Sequence, residues 1–181
     1  MANSYKAPSV TPVVGLIYSD EGIRESVQEA LVKRFGSLGM QSEVFPFNKT
    51  NYYEGELGEA LKRVFLIHEE LRDPGELPDW KHFTIELESK FSAKKENATA
   101  RQINIDPGYL RGATLVLGST KGNVHRIYLR DGIYAEMTMY SKNGEWITHD
   151  HTLLDFKSGQ YDEFLTKARQ YHVDQTHKLN D

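Results

Sequence analysis

Pro12-Val13-Val14-Gly15-Leu16-Ile17-Tyr18 is a continuous apolar run with no charge in it. It is far too short to span a bilayer, and it lacks the alternation of a strand with one wet face. The reading that remains is a strand buried on both faces. Ser19 and Asp20 follow with N-cap oxygens, and Ile23, Val27, Ala30, Leu31 and Phe35 then recur at three to four residues. That spacing predicts an amphipathic helix, ended by Gly36.

Further along, Ser42–Phe47 reads as a strand. Residues 52–71 admit either period, and the β-branched and aromatic content of Arg63-Val64-Phe65-Leu66-Ile67 favours a strand over Lys62–Leu71. Asp73-Pro74-Gly75 is a turn. Leu77, Trp80, Phe83, Leu87 and Phe91 define a second helix beginning near Pro78, with Glu86-Leu87-Glu88-Ser89-Lys90 on its solvated face. Ala93–Arg101 is a polar connector. Strands are expected at 102–106, 114–118, 124–130, 133–140 and 145–148, with Asp131-Gly132 and Asn143-Gly144 as hairpin turns. A last helix spans about 160–171. The expected fold class is α+β: a ferredoxin-like split βαβ core extended by an antiparallel meander and closed by a C-terminal helix. Residues 1–181 form one domain, with 1–11 and 172–181 loose.

Composition narrows the function classes. The 39% hydrophobic and 27% charged content is globular. A net charge of -4 lacks the basic surplus that counterion release rewards, which argues against a general DNA binder. No cysteine means no disulfide, thiolate metal site or Cys nucleophile. The first ten residues lack the basic-then-apolar pattern of a signal peptide. A cytoplasmic protein without a membrane partner is the expectation.

The polar chemistry gathers between Asn104 and Tyr140. On 102–106, Asn104 and Asp106 share a face opposite Ile103 and Ile105. Pro107-Gly108 is read as a sharp turn, so Asp106 either closes an Asx-turn or lines a cleft. Across the Asp131-Gly132 hairpin, alternation groups Arg126, Tyr128, Glu136 and Thr138 on a polar face. It sets Ile127 and Leu129 toward the core, with His125 on their face as either a core histidine or the edge of the site. Arg126 beside Glu136 is either a cross-strand ion pair or part of an anion site, since guanidinium forks onto phosphate or carboxylate. With Asn104, Lys121 and Tyr128 it would form the ligand-binding set, with Asp106 and Glu136 the candidate catalytic carboxylates. His149 and His151 share one strand face as metal candidates without a third ligand nearby. No cofactor follows from these motifs, and whether the chain is an enzyme stays open. A non-enzymatic module presenting its sheet face to protein or RNA is the alternative.

Several segments together resemble a known family: Gly15–Ser19, Leu61-Lys62-Arg63 before Asp73–Leu77, Asn104–Tyr109, His125–Leu129 and Gly132–Glu136. They resemble the bacterial and archaeal domain-of-unknown-function family DUF4416 over nearly the whole chain. A GTP-binding label carried by some members would imply a phosphate-cradling loop. Gly118-Ser119-Thr120-Lys121-Gly122-Asn123 lacks the P-loop spacing and leads into a strand, so that implication is set aside. No Gly-x-Ser-x-Gly elbow is present either.

Overall fold

Strand β1 (Thr11–Tyr18) is buried along its whole length and lies at the centre of the computed structural model, which describes residues 3, 5–48, 57, 59–95 and 98–178, without the side chains of 93–100. Its side chains divide between two cores. Val14, Leu16 and Tyr18 pack on one face with Val27, Leu31 and Phe35 of α1 (Glu21–Phe35) and with Leu77, Trp80 and Leu87 of α2 (Leu77–Lys90). Val13 packs on the other face with Phe156, Tyr161, Phe164 and Leu165 of the C-terminal segment. The run without alternation is thus explained: both faces of β1 are covered by helix.

The described strands around β1 are antiparallel. They are β2 (Leu38–Gln41), β3 (Phe45–Pro46), β4 (Lys62–His68), β5 (Ser92–Lys95), β6 (Ala98–Arg101), β7 (Ile103–Arg111), β8 (Thr114–Ser119), β9 (Ile127–Arg130), β10 (Ile133–Lys142) and β11 (Glu145–Thr148). The main sheet runs β11-β10-β8-β7-β1-β4-β2, with β3 on β4 and β9 on β10. The half β7-β1-β4-β2, with α1 and α2 on one face, is the split βαβ arrangement of a ferredoxin-like core; β8 to β11 extend it as a meander. A short helix α3 (Leu154–Lys157) and the long α4 (Asp162–Lys178) follow on the opposite face. The α+β expectation holds. Among the described residues no helix is long and apolar enough to cross a membrane.

Local expectations met varied outcomes. Asp20 caps α1 by accepting from the Ile23 amide, and Gly36 ends it at φ +89°. Strand β4 settles the ambiguous stretch at 62–68, while 52–56 lies outside the described residues. Strand β2 was not anticipated, and only Phe45–Pro46 of the expected strand 42–47 pairs. The polar connector is a hairpin of β5 and β6. Pro107-Gly108 is no turn: β7 runs straight through to Arg111. Proline is tolerated there because β8 pairs β7 only from Gly108 onward, so no ladder bond to β8 is lost at Pro107. Nor does the chain loosen at 172. Helix α4 continues to Lys178, and buried His172 sits 2.9 Å from the Thr11 hydroxyl, tying the two supposedly loose ends together.

Candidate functional site

Strand β10 is ten residues long and is paired along one edge by β8. Its other edge carries β9 against 133–135 and β11 against 139–142, so among the described residues Glu136–Thr138 has no strand partner there. A bulge between Met137 and Met139 marks the same place. The flanking strands are aimed at this gap. Antiparallel β9 begins at Ile127 opposite Ala135, which brings the preceding His125 and Arg126 beside Glu136. Strand β11 ends at Thr148 opposite Met139, and the chain continues through His149–Thr152 along the unpaired edge. Thr152 secures that loop, donating to the Thr138 carbonyl at 2.7 Å and accepting from the His149 amide at 2.9 Å.

Donor atoms of His125, Glu136 and His151 consequently lie within 4.8 Å of one another. Glu136 is 6% exposed, and its Oε2 accepts from Arg126 Nε at 2.6 Å and lies 3.3 Å from His125 Nε2. The rings of His125 and His151 stack at 4.0 Å and 7°, and those of His151 and His149 at 5.0 Å and 7°. His149 Nε2 is buried without a hydrogen-bond partner among the described residues. Arg126 Nη1 donates to the Lys121 carbonyl at 3.0 Å, drawing the 119–126 loop toward the site. A Cβ at Gly122 in that loop would come within 2.8 Å of the far end of the Tyr134 side chain, which would have to shift to admit it.

A second polar cluster occupies the same sheet face farther along. Arg63 on β4, 1% exposed, forms ion pairs with the wholly buried Asp155 and with Asp106, the latter at 3.1 Å. Asn104 donates to Asp106 at 2.8 Å and Lys81 Nζ lies 3.8 Å from it. The guanidinium is enclosed by Phe47, Phe65, Phe156 and Tyr161, with ring centroids 5.1–5.8 Å away. Burial alone would pull the Arg63 pKa down, but Asp155, Tyr161 and Asp106 together raise it above its ordinary value. Burial likewise pushes the Tyr161 hydroxyl up, Arg63 opposing it. Beside this cluster the unpaired edge of β7 is closed by α2. Glu88 accepts from the Ile105 amide at 2.6 Å, and Lys81 donates to the Ile105 carbonyl at 3.0 Å. Burial raises the Glu88 pKa, with Lys81, the Ile105 amide and Arg101 pulling against it. Glu88 therefore does not lie on a solvated helix face.

The sequence-derived set is thus divided between two places. Arg126 and Glu136 meet as expected; His151 joins them, and His149 stacks behind it. Lys121 contributes through its backbone, where its carbonyl meets Arg126. Tyr128 packs edge-on against Tyr134 at 5.4 Å on a strand that is exposed throughout. Asn104 and Asp106 belong to the Arg63 cluster: Gly108, Leu117 and Glu136 stand in one row across β7, β8 and β10, and Asp106 lies two residues before it. That puts Asp106 two strands, or ~10 Å, and a further two residues from Glu136. Asp106 makes no Asx-turn. Thr138 is buried, with its carbonyl committed to Thr152.

Of the two places open to His125 it takes the edge of the site, beside Glu136, and the core-facing reading of its strand is corrected. Strand β9 starts only at Ile127, so no strand pattern extends to His125, and Ile127 and Leu129 are exposed. Gly122-Asn123, a turn-forming pair ahead of it, was the available sign that the strand began later. Arg63 and Asp155 were missed because an arginine inside an apolar strand and an aspartate 92 residues away carry no local mark of pairing.

No curated protein and no solved structure matches the chain. A family model described as a domain of unknown function matches residues 8–172, nearly the whole folded part, and so the chain belongs to the DUF4416 family.

Proposed function

We propose that the chain binds a small anionic ligand, carrying phosphate or carboxylate, at the gap in β10 where Arg126 meets Glu136. The observation that supports this reading is the balance of groups there. The Arg126 guanidinium and the His125 imidazole both contact the Glu136 carboxylate, and the His151 ring stands within 4.8 Å with its Nε2 3.5 Å from the Met137 carbonyl, so three nitrogen-bearing side chains gather around one carboxylate. Arg126 uses Nε and Nη1 on Glu136 and the Lys121 carbonyl, and among the described residues Nη2 has no hydrogen bond and could meet an incoming oxyanion. Asn104 leaves the proposed ligand-binding set and Asp106 the candidate catalytic pair, since Asp106 is paired with Arg63 and Asn104 donates to Asp106. A thermal-shift screen with inorganic phosphate, nucleotides, phosphosugars and dicarboxylates tests the proposal. One class should stabilise the wild type, and Arg126→Gln should abolish that shift with the fold intact; a wild type indifferent to all of them would refute it.

A second reading, a non-enzymatic interaction module, is favoured by one feature. Among the described residues strand β9 pairs only with β10, and its Ile127 is 72% and Tyr128 57% exposed, beside fully exposed Val124. Apolar edges of this kind add strands from partners. A protein partner fits better than RNA, given the net charge of -4. Loss of a co-purifying protein in the double variant Ile127→Lys/Tyr128→Ala would support this reading, and a solitary wild type in pull-downs would remove it. The absence of cysteine fits a cytoplasmic setting for either role.

A further inference from the structure

We propose that His125, Glu136 and His151 form a site for one divalent transition-metal ion. The inference goes beyond anion binding and does not depend on it. Two imidazoles and a carboxylate make a donor set of borderline softness, which suits zinc, cobalt, nickel or ferrous iron better than magnesium or calcium. Three protein ligands leave coordination positions open, as catalytic zinc sites do.

The spacing fits. Metal–ligand bonds of about 2.0–2.1 Å at tetrahedral angles put neighbouring donor atoms ~3.4 Å apart. His125 Nε2 and Glu136 Oε2 are 3.3 Å apart, and no donor in the trio is farther than 4.8 Å from another. Ordinary side-chain rotation closes the remaining distance. Both contacts that Glu136 makes fall on Oε2, which leaves Oε1 without a hydrogen bond among the described residues.

The backbone supports the same reading. The two histidines arrive from opposite directions, one ahead of β9 and one after β11, and the Thr152 bonds hold the second loop against β10. A lone ion pair of Arg126 with Glu136 would need neither imidazole. The His149 ring stacks behind His151, and its buried Nε2 has no hydrogen-bond partner among the described residues, so a third imidazole stands at the same corner. A cation drawing on Glu136 would also leave the Arg126 charge less compensated, which links this site to the anion reading without requiring it.

Chelator-treated full-length protein titrated with Co²⁺, followed by visible absorbance, and with Zn²⁺, followed by calorimetry, tests the site. The expected result is one equivalent bound with cobalt ligand-field bands. His125→Ala, His151→Ala and Glu136→Gln should each weaken binding at least ~10-fold, and exposed His177→Ala should leave it unchanged. Circular dichroism identifies any variant that fails to fold, and the two half-exposed histidines provide independent alternatives to Glu136. A wild type that takes up neither ion, folded ligand variants with wild-type affinity, or Mg²⁺ bound as tightly as Co²⁺ would overturn the proposal. Cobalt binding without any anion response would uphold it and count only against the anion reading.

Discussion

At the scale of single residues, Arg63 is the most consequential side chain outside the candidate site. Its charge is buried among four aromatic rings, and Asp155 and Asp106 make that tolerable. Arg63→Met would leave Asp155 charged, fully buried and without its cation. Breaking a buried pair from one side costs about 3–5 kcal/mol, so urea denaturation should show a loss of that order. A loss within error of zero would mean that the pair is solvated in a way its burial denies. Arg63→Met with Asp155→Leu should recover part of it, since an apolar replacement removes the stranded charge. Two buried histidines give a pH prediction. Burial lowers the pKa of His68, against the opposing Gly36 carbonyl, and of His172, with Arg169 adding to the effect. Their folded values lie below the unfolded one, so the unfolded chain binds protons first as pH drops. Their stabilising contribution is complete above about pH 6.5 and is lost as pH falls from there through the folded values. Melting temperature should therefore decline between about pH 7 and pH 5.5, less steeply in His172→Gln; equal slopes would contradict the assignment.

At the scale of elements, two glycines carry tests of the meander. Asp131-Gly132 has φ of +52° and +75°, and Asn143-Gly144 +52° and +86°, positive at both positions as a type I′ hairpin requires. Open space surrounds the Gly132 Cα, so Gly132→Ala should cost only the backbone strain, about 1 kcal/mol. Gly108 is constrained differently, because a Cβ there would stand 2.1 Å from the Val116 carbonyl oxygen on β8. Gly108→Ala must push β7 and β8 apart. A loss of about 3 kcal/mol or more in chemical denaturation is expected, at or beyond the upper end of ordinary overpacking. Because Gly108 stands in one row with Leu117 and Glu136, the same variant should also weaken any ligand bound at β10.

At the scale of the whole molecule, the sheet depends on cover from both sides. The C-terminal segment supplies Phe156, Tyr161, Phe164, Leu165 and Ala168 to a core that includes Phe65, Leu110 and Met139. A chain truncated after Thr152 would present that apolar face to water and lose the Asp155 partner of Arg63. It should bind hydrophobic dyes and lack near-ultraviolet ellipticity, as a loosely packed state does. A truncated chain with a native near-ultraviolet spectrum would show that the first core folds alone.

Much of the fold is legible from local pattern. The unbroken apolar run of β1 calls for two covering layers, the spacing of Ile23 to Phe35 and of Leu77 to Phe91 gives two helices, and the Asp-Gly and Asn-Gly pairs locate two hairpins. Such features follow from periods and turn conformations that a few neighbouring residues fix. Arg126 beside Glu136 was legible for the same reason, being set by a short hairpin. Long-range geometry decided the rest. The alternation at 102–106 put Asn104 and Asp106 on one face, but only the row across β7, β8 and β10 separates them from Glu136. His149 and His151 offered two metal ligands and no third. The third and fourth members of that corner, Glu136 on β10 and His125 in the loop ahead of β9, meet His151 because β9 and β11 both stop short of the bulged stretch of β10. Sequence alone determined the apolar strand at the centre, the two helices and the two hairpin turns, because a few neighbouring residues fix those periods and conformations; where strands end and which ends meet depends on pairing across the sheet, and that only the tertiary structure decided.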